Sequence, residues 1–360
     1  MYRSLTRLTL VLLLGSLLAG CVWGPLLHRA PLRDELIHAE TEDGWQIAMH
    51  RYHPRPGTER RSAPIIISHG ISANERTWSL TEEQSLPRFL ADRGWDVWAI
   101  DLRAVGESSR PHLFNRKRYD HDFDTYVTHD VPAVIDEVRR QTGADKVHWV
   151  GHSMGGMIMY AYVARFGDDA LKTITTVGSP VAFDGLAGYM RWAQKQAPRF
   201  QPHLFTIRER AFVPGIAVFG GAFETRWEYL IWNYDNLDPM SVKLIMYNGS
   251  ANMAGGVLRQ FGGLFAGAPF TSGDGSMNYL AGLQRLTVPL HVTAGIADNL
   301  ALVQNVIPAY HAAASEEKRF RVFARANGHS MDYGHVDLTV GNQAAVDVYP
   351  ELEAWIRSHD

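Results

Sequence analysis

Short apolar runs alternate with helical stripes along this chain. Pro64-Ile65-Ile66-Ile67-Ser68 is apolar almost throughout, and Trp95 to Ile100, Val147 to Val150, Ile174 to Val177, Val288 to Gly295 and Phe320 to Ala324 read as further strands. Strands covered on both faces carry such runs, because neither face meets water. Between them, Leu86, Phe89 and Leu90 fall at helical spacing within Ser85 to Gly94. Val131, Val134, Ile135 and Val138 form a second stripe, with Asp130 expected as its cap and Pro132 in its first turn. Glu40 to Tyr52 differs: a turn at Asp43-Gly44 and the alternation of Trp45, Ile47 and Met49 predict an antiparallel hairpin at a sheet edge. Strands alternating with helices imply an α/β domain, a parallel sheet with helices on both faces.

The alternation stops between residues 182 and 285, which are rich in large aromatics (Tyr189, Trp192, Phe200, Phe205, Phe212, Phe219, Trp227, Trp232) and end in a glycine-laden stretch from Gly255 to Gly275. An insertion there lies above the carboxyl edge of the sheet, so it is expected to be a lid, with the glycine stretch as its moving part. The chain start reads separately. Arg3 and Arg7 precede an apolar run from Leu8 to Ala19 that is too short to cross a bilayer comfortably, and Leu18-Ala19-Gly20-Cys21 closes it. This resembles a bacterial lipoprotein processing site, which implies a signal peptide over 1–20, lipidation of Cys21 and a tether over 21–35. The expectation is a bacterial envelope protein held in the outer membrane by its acyl chains.

Composition narrows the chemistry. With 360 residues the chain can bury a full core, and a net charge of -3 without basic runs argues against a nucleic-acid partner. A single cysteine excludes an internal disulfide framework and a thiolate metal cluster. The acids and histidine of Tyr119-Asp120-His121-Asp122-Phe123-Asp124 read as caps and solvated charges, so neither a metal nor a cofactor is expected.

The candidate chemistry sits at Gly151-His152-Ser153-Met154-Gly155, between an apolar strand and a helix-compatible segment through Tyr160, Tyr162 and Val163. A strand, serine and helix in that order form the sharp turn that lifts a hydroxyl clear of the sheet, and the glycines beside it avoid collisions with neighbouring backbone. A serine needs a base oriented by a carboxylate. Asp298 stands in the loop after the Val288 to Gly295 strand, and two histidines, His329 and His335, follow the next strand. Either serves as the base on this reading. His152 is expected to pack beside the turn, and His69 to brace the loop at Gly70.

Tyr333-Gly334-His335-Val336-Asp337-Leu338 with Gly341 resembles the Tyr-x-His-Leu-Asp-Phe segment of the gastric and lysosomal acid lipases and their bacterial relatives. Gly295-Ile296-Ala297-Asp298-Asn299-Leu300-Ala301 is similar to that family's acid loop, and Ser68-His69-Gly70-Ile71, with Asn74 and Trp78, to its oxyanion loop. Asp101-Leu102-Arg103-Ala104-Val105-Gly106-Glu107-Ser108 is similar to a loop of many α/β-hydrolases, departing from it at Ala104. The resemblance implies the α/β-hydrolase fold, a mostly parallel eight-stranded sheet with helices on both faces, with a core over 36–181 and 286–360; it does not cover 182–285, the stretch read above as a lid. Carried over, it makes Ser153 the nucleophile, Asp298 the acid, His335 the base, and the N–H groups of Ile71 and Met154 the oxyanion hole. The function implied is hydrolysis of a small-molecule or lipid ester. Acyl transfer and polyester depolymerisation use the same residues, and a non-catalytic envelope lipoprotein is the alternative of another class.

Overall fold

The computed structural model describes residues 25–112, 117–185, 213–218, 220, 221 and 228–360. The signal region, Cys21, and the aromatics Tyr189, Trp192, Phe200, Phe205, Phe212, Phe219 and Trp227 lie outside them.

Eight strands form one sheet: β1 (Glu35–Glu40), β2 (Gln46–Tyr52), β3 (Ile65–Ser68), β4 (Val97–Asp101), β5 (Val147–His152), β6 (Leu171–Val177), β7 (Leu290–Gly295) and β8 (Lys318–Phe323). Their spatial order is β1-β2-β4-β3-β5-β6-β7-β8. The hairpin β1–β2 is antiparallel and β2 pairs antiparallel with β4, while every pairing from β4 to β8 is parallel. The hairpin begins five residues before the expected start, because Glu35 already pairs with Arg51.

Among the described residues the longer helices are α1 (Leu86–Ala91), α2 (Val131–Thr142), α3 (Met154–Phe166), α4 (Pro239–Leu244), α5 (Gly255–Phe265), α6 (Val303–Ala312) and α7 (Ala344–Ser358). Successive strand residues feed opposite layers, as the two-residue period of a strand demands. Ile66, Trp98, Ile100 and Trp149 pack with Val134 and Val138 of α2, Ile158 of α3 and Val306 of α6. Ile65, Ile67, Val97, Ala99 and Val150 pack on the other face with Leu86 and Leu90 of α1 and Leu352 and Ile356 of α7. A third, smaller cluster joins inserted-segment residues Ala217, Trp232, Leu237, Val242 and Ile245 to Leu27, Leu80 and Val340.

Two expectations change. Asp130 does not cap α2: the chain is already helical through Tyr126–Asp130, and the buried Asp130 carboxylate accepts from Arg103 N at 2.9 Å and Arg103 Nε at 2.7 Å. The glycine stretch opens as helix α5, which buries Val257, Phe261 and Leu264. Gly256 is there for close approach, since a Cβ at that position would lie 2.3 Å from the His121 carbonyl oxygen.

Candidate active site

Parallel pairing sets the carboxyl ends of β3, β5, β6, β7 and β8 along one edge of the sheet, and the loops leaving them meet there. Ser153, between β5 and α3, has φ +51 and ψ -119, a conformation non-glycine residues rarely hold. Its neighbours explain how the turn fits. A Cβ on Gly151 would lie 2.5 Å from the Gly155 carbonyl carbon, and one on Gly155 would lie 2.6 Å from the Ser68 oxygen. The turn is tied to the sheet by Ser153 N donating to Val177 O at 2.8 Å, while Ser153 O accepts from Gly156 and Met157.

The acid loop and the histidine loop cross at Gly295, where a Cβ would stand 2.2 Å from Tyr333 O. Ala297 N donates to that same oxygen at 2.9 Å. Asp298 is buried and divides its carboxylate between two tasks. Its Oδ1 accepts from Leu300 N at 2.9 Å and Ala301 N at 2.7 Å, which fixes the group; its Oδ2 lies 2.7 Å from His335 Nδ1. An ionised carboxylate only accepts, so Nδ1 of His335 carries the ring proton and Nε2 is left able to take another. This pair sits beside the serine turn: a Cβ on Gly178, the residue after β6, would be 3.4 Å from both Asp298 Oδ2 and His335 Nδ1. His152 links the two parts, its Nε2 donating to His335 O at 3.0 Å and its ring centroid 4.5 Å from that of His335. Burial, with His335 nearby, holds the His152 pKa well below the ordinary imidazole value. His329 lies elsewhere in the loop, with Nδ1 3.1 Å from Ala324 O and 3.2 Å from Ala324 N.

The loop after β3 closes over the serine. A Cβ on Gly70 would sit 3.1 Å from Ser153 Cβ and 3.6 Å from its Oγ. His69 braces this loop: Leu102 N donates to its Nε2 at 3.1 Å, so Nδ1 bears the proton and donates to Gly70 O at 2.7 Å. Met154 opens α3, where N–H groups have no partner within the helix, and Ile71 follows Gly70 directly.

Three groups around the site were not singled out as functional by sequence. Asp101, buried at the end of β4, accepts from Glu75 N at 2.9 Å, His50 Nε2 at 2.9 Å and Glu107 N at 2.8 Å. Asp337, two residues past His335, accepts from Gly334 N at 2.8 Å, Asn233 N at 3.1 Å and Asn236 Nδ2 at 3.0 Å, and so ties the histidine loop to the inserted segment. Asn248, in that segment, bonds the oxyanion loop. Asp101 and Asp337 stood in the matched motifs; Asn248 carried no local signal.

The acids at 120–124 have structural work. Asp122 caps the short helix Phe123–Thr125, and Asp124 accepts from Gln260, Gly273 and Tyr279. Among the described residues no group of three or more His, Cys, Asp or Glu is arranged to hold a metal ion, and no helix is long and apolar enough to cross a membrane.

Residues 63–223 match the family model for the alpha/beta hydrolase fold. Triacylglycerol lipase 2 of Arabidopsis thaliana is 31% identical over 175 residues, 46% of this chain and 41% of that protein. Lipase 3 of Drosophila melanogaster is 29% identical over 201 residues, covering 51% and 50%. The chain thus spans half or less of these curated relatives. A soluble variant of monoglyceride lipase from Saccharomyces cerevisiae, solved with a substrate analogue, superposes with a TM-score of 0.61 at 16% identity over 92% of this chain and 96% of that one, a likeness of fold. With the sheet order, the serine turn and this match in hand, the chain has the α/β-hydrolase fold.

Proposed function

We propose that this protein is a serine hydrolase that cleaves carboxylic esters. The observation that carries the reading is the 2.7 Å pairing of His335 with Asp298 beside the strained turn at Ser153. In this mechanism Ser153 Oγ attacks the ester carbonyl carbon while its proton passes to His335 Nε2. The carbonyl π electrons move to oxygen, and the N–H groups of Ile71 and Met154 stabilise that oxyanion. Collapse breaks the bond to the alcohol, which leaves with the proton from His335. Water then attacks the acyl-enzyme, with His335 again taking and returning a proton. Asp298 keeps the imidazole in the tautomer this requires. The lipases among its relatives support an ester substrate bearing an acyl chain.

The reading extends to location: acylation of Cys21 anchors the enzyme in a bacterial envelope, on the outer membrane. Labelling with radioactive palmitate, lost in Cys21→Ser, tests this part separately.

For the chemistry, the wild type is expected to label with a fluorophosphonate probe and to hydrolyse p-nitrophenyl esters. Ser153→Ala is expected to abolish labelling and to lower kcat by about a million-fold, as when one member of a cooperating triad is removed. Absence of labelling in a folded wild type would favour a binding lipoprotein.

A further inference from the structure

Residues 25–34 precede the sheet, and their sequence reads as a tether. The fold puts them to another use. Leu27 is buried in the cluster of the inserted segment, and the chain beside it is held by one side chain, Asn248. Arg29 N donates to Asn248 Oδ1 at 3.0 Å, and Asn248 Nδ2 donates to Leu27 O and to Leu244 O, each at 2.9 Å. Every polar atom of this buried amide faces a complementary group, so its orientation is fixed.

The same turn holds the oxyanion loop from the other side. Asn74 Nδ2 donates to Asn248 O at 2.8 Å and Asn74 N to Gly249 O at 3.2 Å. Ala73 forms an antiparallel bridge with Ser250, and Ala251 N donates to Ser72 O at 2.9 Å. Ser72 follows the oxyanion residue Ile71 directly and has φ +57, which a non-glycine residue keeps only where its surroundings impose it. Here the surroundings are the turn at 248–251.

We infer that residues 27–29 are a strap that acts through Asn248 to position the oxyanion loop, making Asn248 a positioning residue for the reaction. The strap bonds neither Asp298 nor His335, so slackening it leaves that pair intact and displaces Ile71. An oxyanion N–H helps only if already aimed where charge develops, so the loss falls on the transition state more than on substrate binding. This inference rests on the proposed serine hydrolase chemistry.

The test compares full-length variants, with rates expressed per site titrated by the fluorophosphonate. Asn248→Leu removes all three side-chain bonds; Arg29→Pro removes, of these three, only the one that Asn248 Oδ1 accepts, together with the Arg29 side chain that Arg29→Ala also lacks. Both are expected to lower kcat about 10- to 100-fold with KM within about threefold, a part of what losing one oxyanion donor costs. The inhibition constant of a trifluoromethyl ketone should rise in step with the fall in kcat/KM. Arg29→Ala, which keeps the N–H, should recover most of the rate lost in Arg29→Pro. A purely structural role would lower the titratable fraction and leave the rate per site unchanged, which would overturn the inference. If the wild type proves inactive, the hydrolase reading fails first. Hydrogen exchange then decides the strap: faster exchange at residues 72–74 in both variants supports it, and unchanged exchange refutes it.

Discussion

Six positions separate His329 from His335, and their partners in the structure differ. His329 closes a turn onto Ala324, whereas His335 faces a fixed carboxylate. His335→Ala is expected to lower kcat by about four to six orders of magnitude. His329→Ala should stay within about threefold and cost about 1 kcal/mol of stability, one local hydrogen bond. Steady-state kinetics with thermal melts on both variants checks this. Glu75 supplies a pH test. Burial pushes its carboxyl from the ordinary 4.5 up to about 7, although His50 and Arg76 pull the other way. The folded state therefore holds a proton that the unfolded state releases, and stability falls as pH rises from about 4.5 through 7. Glu75→Gln carries no such charge. Its melting temperature should gain on the wild type steadily between pH 5 and 8, with a limit on the order of a few kcal/mol. A difference that does not change with pH would refute the buried-acid account. The motif around His335 was readable, because flanking residues carried it. Burial of Glu75 was not, since it depends on Asp101 and His50 arriving from two other strands.

Among the elements, the turn from β5 to α3 is the most tightly specified. A methyl group at Gly155 would meet Ser68 O at 2.6 Å and His69 O at 2.7 Å, all backbone that cannot swing aside. Gly155→Ala should therefore cost about 1–3 kcal/mol in denaturant unfolding, as overpacking does. It should also lower kcat, because α3 and the oxyanion loop are pushed apart. Gly143→Ala is the comparison: its φ is +73 with open space around it, so it should lose about 1 kcal/mol and no activity. The serine turn was legible because its glycine and serine pattern spans five residues, although the backbone that Gly155 must clear lies at the end of β3. Helices α6 and α7 were not read from the sequence, and each contains an interior proline, Pro308 and Pro350, that breaks the expected signature. In the Gly255 to Gly275 segment the sequence did not show the helix that opens it. Glycine permits motion in an open loop, but in α5 Gly256 permits contact with the His121 backbone.

At the scale of the molecule, the inserted segment is bonded to both loops of the site, through Asn248 and Asp337. On the proposed reading this segment is a cap, under which the acyl chain of the substrate binds. Medium or long acyl esters should then be preferred to acetate, each buried methylene adding about 0.8 kcal/mol, or nearly fourfold in kcat/KM, until the pocket is full. Kinetics on acetate, butyrate, octanoate and palmitate esters checks this, and a steady fall from acetate upward would mean a cap that leaves only a small acyl pocket. The α/β class, the serine turn and the positions of the acid and histidine loops followed from sequence alone. They depend on period, apolar runs and backbone sterics, which act between residues a few places apart. The tertiary structure alone decided that β4 lies between β2 and β3, that the Asp298 carboxylate reaches His335 Nδ1, and that residues 27–29 bond the inserted segment. Asn74 and Asn248 are 174 residues apart, and Arg29 and Asn248 are 219 apart. Bonds of that reach form only once the packed layers have brought their donors and acceptors together, and no local pattern encodes which partner will arrive.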